Sequence, residues 1–307
     1  MILSVNIAGV EWKSPITTAA GIVNSGKEYG TYTDLSILGA LTTKGVSLDE
    51  WMGDTVPRIT ETYGGMLNSI GVQNPGVENF IKNDITFLKN LNANVIVNVC
   101  GHEIKEYVSV VERLNSVDGI DMIELNLSPL NPDTENKWAN FGRDIETTTK
   151  IVSEVRKVTK IPLIVKLSPN NLSDIVEISK AAEAAGADAL SMINTLIGVR
   201  IDIFRKKPSL GNKIGGLSGP SVKPVAVGAV YRVAKSDVKI PIIGMGGITN
   251  AEDALEFILA GATAIGVGTA NFGNPRVTMN ILDGIKQYMS DNNIDDINKL
   301  VGAALNS

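Results

Sequence analysis

One phrase occurs three times in the sequence, and it limits the possible folds more than any other feature. In ILGALTTKG (residues 37–45), AAGADALSMINT (184–195) and LAGATAIGVGTA (259–270), we expect a helix to end at a glycine and a short β-prone run to finish in polar or glycine residues. Gly39, Gly186 and Gly261 fit the position after a helix, where a left-handed backbone costs least for glycine. The repetition predicts successive βα units.

Eight short apolar runs provide the strands of these units. Runs such as LIVKL and PIIGMG are continuous rather than alternating, which is typical of parallel strands covered on both faces. We therefore predict an α/β fold, a closed (β/α)8 TIM barrel with long loops over its C-terminal mouth, and the alternative is an open doubly wound sheet. The predicted strands are residues 16–20, 40–44, 95–99, 122–126, 163–167, 188–194, 241–246 and 264–268.

The composition suits one globular domain and excludes several function classes. With 307 residues, 44% of them hydrophobic, and no linker-like stretch, residues 1–307 are expected to form a single barrel domain. A net charge of −5 with scattered basic residues argues against a nucleic-acid or membrane partner. No signal peptide or spanning segment is recognisable, so we expect a cytoplasmic protein. One cysteine and one histidine argue against a metal centre or an iron–sulfur cluster held by this chain.

Polar residues end several of the predicted strands. Such side chains are costly after an apolar strand unless they contact a ligand or a satisfied polar network. Because the C-terminal ends of barrel strands form one face, these residues predict a shared ligand there, covered by the long segments 46–80 and 196–224. The strand-end residues are Lys44, Gly45, Asn98, Asn126, Lys166, Asn194, Thr195, Gly246, Gly247, Gly268 and Thr269.

Two glycine-containing pairs follow the last two predicted strands. Gly246 and Gly247 follow the seventh strand, and Gly268 and Thr269 follow the eighth. Loops at these places in barrels often hold a phosphate on main-chain N–H groups. Two lysines at the same mouth favour a flavin, because a nearby cation stabilises the anionic reduced ring. Asparagines suit a heterocycle with adjacent carbonyl and N–H groups.

Three longer motifs in the chain are GGMLNSIGVQNPG, GGLSGP and GMGGI. They resemble motifs of the dihydroorotate dehydrogenase family, most closely its NAD-linked two-subunit class (class 1B), and the resemblance runs nearly from end to end. It implies an FMN-containing barrel that oxidises dihydroorotate to orotate in pyrimidine biosynthesis, with hydride transfer from substrate C6 to flavin N5. The implied FMN positions are Gly21, Lys44, Gly45, Asn98, Asn126, Lys166, Ile193, Gly219, Gly246, Gly247, Gly268 and Thr269. The implied substrate positions are Lys44, Asn68, Ser69, Ile70, Gly71, Val72, Asn126, Asn194 and Thr195, and Lys44 also belongs to the catalytic group.

The sequence departs from the family at the catalytic base. The resemblance implies a cysteine in the loop after the fourth strand, and this chain has Pro129 there, which cannot accept a proton. Cys100 lies elsewhere and is expected to be a small buried residue. Three interpretations stay open: a nearby group such as Ser128, Asp133 or Glu135 replaces the base, the substrate is a different dihydropyrimidine, or the chain is a flavin-binding subunit of low activity. A non-flavin barrel acting on a sugar phosphate is a more distant alternative.

The resemblance also implies a partner. Members of the NAD-linked class pair with a second subunit that carries FAD and an iron–sulfur cluster. The expected assembly is therefore a homodimer of barrels or a heterotetramer with such partners.

Overall fold

The fold is described from a computed structural model, which covers residues 1–127, 142 and 144–306. In this part of the chain the main chain forms sixteen strands. They are β1 (Val5–Ile7), β2 (Val10–Trp12), β3 (Ile16–Thr18), β4 (Ala40–Thr42), β5 (Ile59–Thr62), β6 (Gly65–Asn68), β7 (Asn94–Val99), β8 (Met122–Asn126), β9 (Leu163–Leu167), β10 (Ala189–Met192), β11 (Leu196–Gly198), β12 (Ile201–Asp202), β13 (Lys207–Pro208), β14 (Gly215–Ser218), β15 (Ile242–Met245) and β16 (Ala264–Val267).

Eight of these strands close into a parallel barrel, which confirms the predicted (β/α)8 fold. The order around the barrel is β10-β15-β16-β3-β4-β7-β8-β9. Each barrel strand therefore pairs with the next barrel strand in the chain, and β16 closes the barrel by pairing with β3. All eight predicted runs supply one barrel strand each. Five of the barrel strands are shorter than predicted. In β4 and β10 the strand ends at Thr42 and at Met192. Lys44 and Asn194 consequently lie in the loops just beyond their strands.

Nine α-helices are found in the described residues, and the larger ones cover the outside of the barrel. Side-chain caps start two of them: Asp144 accepts from the N–H of Thr147 at 2.7 Å, and Asn250 accepts from the N–H of Asp253 at 2.9 Å. Apolar residues at helical spacing then face the strands and are buried. The helices are α1 (Val77–Asn83), α2 (Ile85–Lys89), α3 (Ile104–Leu114), α4 (Ile145–Val158), α5 (Ile175–Ala184), α6 (Lys223–Ala234), α7 (Ala251–Leu259), α8 (Ala270–Gly273) and α9 (Val277–Asp291). None of the described helices is long and apolar enough to cross a membrane.

The three glycines of the repeated phrase serve two different purposes. Gly186 and Gly261 have φ angles of 106° and 115°, which confirms the left-handed turn after a helix. The same expectation for Gly39 is wrong, because its φ lies outside the left-handed region. A Cβ atom there would lie 2.0 Å from the carbonyl oxygen of Ser14, so this glycine allows close contact between two chain segments.

The two long segments form a second sheet above the barrel. Strands β11, β14, β6 and β5 pair in that order, and all three pairings are antiparallel. This mouth sheet joins segment 46–80 to segment 196–224 across the C-terminal ends of the barrel strands. The register places Asn68 opposite Gly216 and Leu67 opposite Leu217, which brings the end of β6 over the barrel.

Candidate active site

A cavity of about 330 Å³ lies between the barrel and the mouth sheet. This volume falls within the range of roughly 300–1,000 Å³ that is common for ligand pockets. Every residue named above as an FMN or substrate position lines this mouth cavity. They are Gly21, Lys44, Gly45, Asn68, Ser69, Ile70, Gly71, Val72, Asn98, Asn126, Lys166, Ile193, Asn194, Thr195, Gly219, Gly246, Gly247, Gly268 and Thr269.

The two glycine-containing pairs directly follow the seventh and eighth barrel strands. Strand β15 ends at Met245 and β16 ends at Val267, so both pairs reach the cavity from neighbouring strands. Gly247 has a φ of 78°, and a Cβ atom on it would lie 2.7 Å from the carbonyl oxygen of Gly219. At Gly247 the backbone must therefore remain free of a side chain, as a close approach to a phosphate also requires.

The described wall of the cavity carries two lysines and one carboxylate. Lys166 is buried to 5% exposure at the end of β9. Burial lowers the pKa of Lys44, an effect that the Cys100 thiol partly offsets and the Arg58 guanidinium reinforces. Burial raises the pKa of Asp54, against the opposing influence of Arg58. The local charge is thus net positive, which suits an anionic ligand.

Two buried polar atoms of cavity-lining residues have no hydrogen-bond partner among the described residues. They are Oδ1 of Asn98 and Oγ of Ser69, which belong to residues 0% and 6% exposed. Buried polar atoms are nearly always hydrogen-bonded in native proteins. A bound ligand with complementary groups would satisfy both atoms, so the residues present fit a heterocyclic cofactor and a polar substrate.

The turn at residues 68–72 offers main-chain donors on the same wall. Its backbone is left-handed at Gly71 and Val72, with φ angles of 67° and 49°. The N–H of Ser69 donates to the carbonyl of Arg58 at 2.8 Å, whereas the next three N–H groups form no hydrogen bond within the described part of the chain. Successive free N–H groups in such turns bind anions, so this turn can hold an anionic group of a ligand.

Sequence reasoning missed two acidic residues of this region. Asp54 lines the cavity from segment 46–80, where a lone carboxylate resembles any solvated loop residue. Glu124 does not line the cavity, but it hydrogen-bonds to Asn98, which does. A usable signal existed for Glu124, because a charged residue two positions before Asn126 in a buried strand lies on the same face.

Four loop residues bear on the identity of the proton acceptor. Pro129, Ser128, Asp133 and Glu135 all lie outside the described residues. Cys100 is buried, as predicted, and it is not among the residues that line the mouth cavity. Burial also raises the pKa of its thiol well above the usual value, so it remains protonated at neutral pH.

Comparisons with known proteins show the family of the chain. The family model described as "Dihydroorotate dehydrogenase" matches residues 2–289. The chain is 56% identical over 302 residues to a protein of Lachnoclostridium phytofermentans, covering 98% of this chain and 99% of the relative. It is also 53% identical over 300 residues to a protein of Alkaliphilus oremlandii, covering 98% of each, and 46% identical over 303 residues to one of Thermoanaerobacter pseudethanolicus, covering 99% of each. All three relatives are named dihydroorotate dehydrogenase B (NAD(+)), catalytic subunit. The chain therefore belongs to the dihydroorotate dehydrogenase family, whose members are flavin-dependent oxidoreductases.

Proposed function

We infer that this chain is the catalytic subunit of a cytoplasmic, NAD-linked dihydroorotate dehydrogenase, and that residues 1–307 form one domain holding FMN in the mouth cavity. The observation that carries the proposal is the convergence of all the predicted cofactor and substrate residues on one cavity. These residues come from both long segments and from the ends of most barrel strands. They are far apart in the sequence, so only the fold brings them together. Bound FMN would supply the acceptor for the hydride that leaves substrate C6.

The residues proposed to hold FMN divide by chemistry. Gly246, Gly247, Gly268 and Thr269 offer main-chain N–H groups and a hydroxyl to the phosphate. The amide of Asn98 offers its unpartnered oxygen to a ring N–H, and Lys166 places a cation beside the ring. That cation favours negative charge on the ring system during reduction.

The substrate residues are proposed to act from two sides, the turn after β6 of the mouth sheet and the ends of barrel strands. The free N–H groups of residues 70–72 bind the dihydroorotate carboxylate, and the buried hydroxyl of Ser69 hydrogen-bonds to the same ligand. Lys44 contacts both ligands and attracts the anionic substrate. Asn126, Asn194 and Thr195 line the cavity from the ends of β8 and β10 and offer donors and acceptors to the pyrimidine ring.

The test is anaerobic reduction of the flavin by dihydroorotate. Purified protein should be yellow, and denaturation should release FMN rather than another flavin. Addition of dihydroorotate without oxygen should bleach the flavin absorbance and yield orotate. A yellow protein whose flavin does not respond to dihydroorotate would reject the substrate, and a colourless protein that takes up no FMN would reject the cofactor.

Pro129 favours a second candidate, an FMN-binding paralogue of low activity or with another dihydropyrimidine as its substrate. General bases contribute roughly 10²- to 10⁴-fold to rates, so loss of the base alone leaves a slow enzyme. Pro129→Cys discriminates between the candidates. A rise of at least about 10²-fold in flavin reduction by dihydroorotate supports a site that lost its base, whereas no rise supports a replacement such as Ser128 or a different substrate.

We also propose a partner subunit. The relatives are named as catalytic subunits of an NAD(+) enzyme, and this chain has a single cysteine. A second protein would therefore carry FAD and an iron–sulfur cluster and pass electrons to NAD, in a heterotetramer built on a homodimer of this chain. Co-expression with a candidate subunit should give a complex that reduces NAD with dihydroorotate, and the mass of that complex measures its composition.

A further inference from the structure

Glu124 is a buried carboxylate behind the wall of the mouth cavity. Its side chain is on β8 and the residue is 1% exposed. One carboxylate oxygen accepts from Nδ2 of Asn98 at 2.6 Å, and the other accepts from Oγ of Ser191 at 2.6 Å. Nζ of Lys166 lies 3.9 Å from the first oxygen. Glu124 therefore connects side chains from three other barrel strands.

The barrel register explains why these side chains meet. Asn98 on β7 lies directly opposite Glu124, and Lys166 on β9 lies directly opposite Ser191 on β10. All four residues are in the centre of a closed barrel, where strand positions are fixed by hydrogen bonds on both sides. The positions of their side chains are accordingly set by the fold rather than by a flexible loop.

Two of the residues that Glu124 contacts line the cavity. Because Glu124 holds the amide nitrogen of Asn98, the amide oxygen is the group left without a partner. The carboxylate also lies near the Lys166 cation, and it partly offsets the positive charge that this lysine brings to the cavity wall. Glu124 is thus placed to fix the orientation of the Asn98 amide and to offset the charge of Lys166.

A purely structural role explains less of this arrangement. A buried carboxylate is destabilising unless it is paired and hydrogen-bonded, and an apolar residue of similar size would fill the barrel at no such cost. Its contacts go to two side chains that line the cavity, and Ser191 supplies a third contact. A role in shaping the cavity accounts both for the presence of a buried carboxylate and for its contacts with Asn98 and Lys166.

We propose that Glu124 is a positioning residue that fixes the Asn98 amide with its oxygen free for the ligand and holds the flavin's reduction potential down by offsetting the charge of Lys166. This inference rests on the proposed function, because it requires FMN in the mouth cavity. A negative charge near the ring opposes the gain of electrons, so its removal makes the flavin easier to reduce.

Three variants separate charge from geometry. Glu124→Gln removes the charge and keeps an oxygen for the amide of Asn98. Ser191→Ala removes one hydrogen bond and keeps the charge, so it is the matched control. Glu124→Asp keeps the charge but shortens the side chain, which draws the carboxylate away from Asn98.

The readouts require no turnover. FMN affinity is measured by fluorescence titration of the apoprotein, and the reduction potential by equilibration with a reference dye in the absence of dihydroorotate. In Glu124→Gln we expect a higher reduction potential than in the wild type, and in Ser191→Ala a clearly smaller change. In Glu124→Asp we expect FMN affinity to fall about tenfold or more, because a charge-assisted hydrogen bond is lost.

A reduction potential in Glu124→Gln that equals or lies below that of the wild type overturns the electrostatic part of the inference. An unchanged FMN affinity in Glu124→Asp overturns the positioning part, and this variant keeps the test decisive if Glu124→Gln does not fold. Wild-type apoprotein that binds no FMN overturns the proposed function and this inference together. If wild-type protein binds FMN and all variants have the wild-type FMN affinity and reduction potential, this inference alone is overturned.

Discussion

Gly247 and Gly268 make a matched pair for testing how the backbone builds the mouth cavity. Both follow barrel strands, both line the cavity, and both are proposed to contact the FMN phosphate. The structure nevertheless predicts a large loss of stability when Gly247 is replaced by alanine and almost none when Gly268 is. Gly247 has a φ of 78°, and a Cβ atom there would lie 2.7 Å from the Gly219 carbonyl oxygen and 3.0 Å from the Lys223 nitrogen. At Gly268 the backbone is outside the left-handed region, and the nearest atom, Cβ of Ala19, would be 3.6 Å away.

These distances give the expected magnitudes. For Gly247→Ala, the left-handed conformation costs about 1–2 kcal/mol, and overpacking against main-chain atoms costs typically about 1–3 kcal/mol more. We therefore expect the free energy of unfolding to fall by about 2–5 kcal/mol. An unfolding entropy near 2.1 cal/mol/K per residue over 307 residues converts this loss to a melting temperature lower by about 3–8 °C. For Gly268→Ala we expect a change of about 0.5 kcal/mol or less, because an ordinary van der Waals contact replaces open space.

The melting temperature should be measured on apoprotein, because bound FMN adds its own stabilisation. FMN affinity is then titrated for both variants. Gly247→Ala should bind FMN at least about tenfold more weakly, since each 1.4 kcal/mol of lost binding energy is a factor of ten. Equal melting temperatures for Gly247→Ala and wild-type protein would refute the strain argument. A loss in Gly268→Ala as large as that in Gly247→Ala would refute the distinction between the two sites.

Three further outcomes are expected. Burial raises the pKa of Asp54, and as the pH rises through that pKa a negative charge forms beside the turn proposed to bind the substrate carboxylate. The KM for dihydroorotate should therefore rise over this pH range in the wild type and stay constant in Asp54→Asn. Parallel pH profiles of KM for the two proteins would contradict this. Cys100→Ala should change the rate of flavin reduction by less than about threefold, because the thiol is protonated and is not among the groups that line the cavity. A loss of about 10²-fold, the size of a general-base effect, would contradict this and support Cys100 as the proton acceptor. Phe257→Ala should lower the free energy of unfolding by about 3–5 kcal/mol in chemical denaturation, since Phe257 is 0% exposed between α7 and the barrel; a loss below about 1 kcal/mol would contradict its place in the core.

The positions of the cavity residues were predictable because a parallel barrel has a simple rule. Its strands all end at one face, so the residue after each apolar run is near the residue after every other run. Lys44, Asn98 and Lys166 could be grouped on this basis without any knowledge of their contacts. The left-handed glycines after helices were predictable in the same way at Gly186 and Gly261, because the local sequence alone sets that turn.

Other features depended on contacts between distant parts of the chain. The close approach of Gly39 to Ser14 and the position of Asp54 beside residues 70–71 follow from how separate segments pack. The link between Glu124 and Asn98 depends on the register of β7 with β8, which no local pattern specifies. Five strands were predicted too long, because β-prone residues continue past the last paired residue. The predicted ranges are 16–20, 40–44, 188–194, 241–246 and 264–268.

The arrangement separates the two halves of the proposed reaction. Most groups proposed to bind FMN are on barrel strands or directly after them, where hydrogen bonds from both neighbours fix the backbone; Gly219, which follows β14 of the mouth sheet, is an exception. The resemblance implies a proton acceptor in the loop after β8, and none of the proposed FMN positions lies in that loop, because Asn126 is the last residue of the strand. A substitution such as Pro129 can therefore change proton removal while leaving flavin binding intact. For this reason flavin content and reduction rate are independent measurements in this protein. A fully yellow protein that dihydroorotate reduces slowly would support loss of the base, and one that it reduces rapidly would support a replacement base.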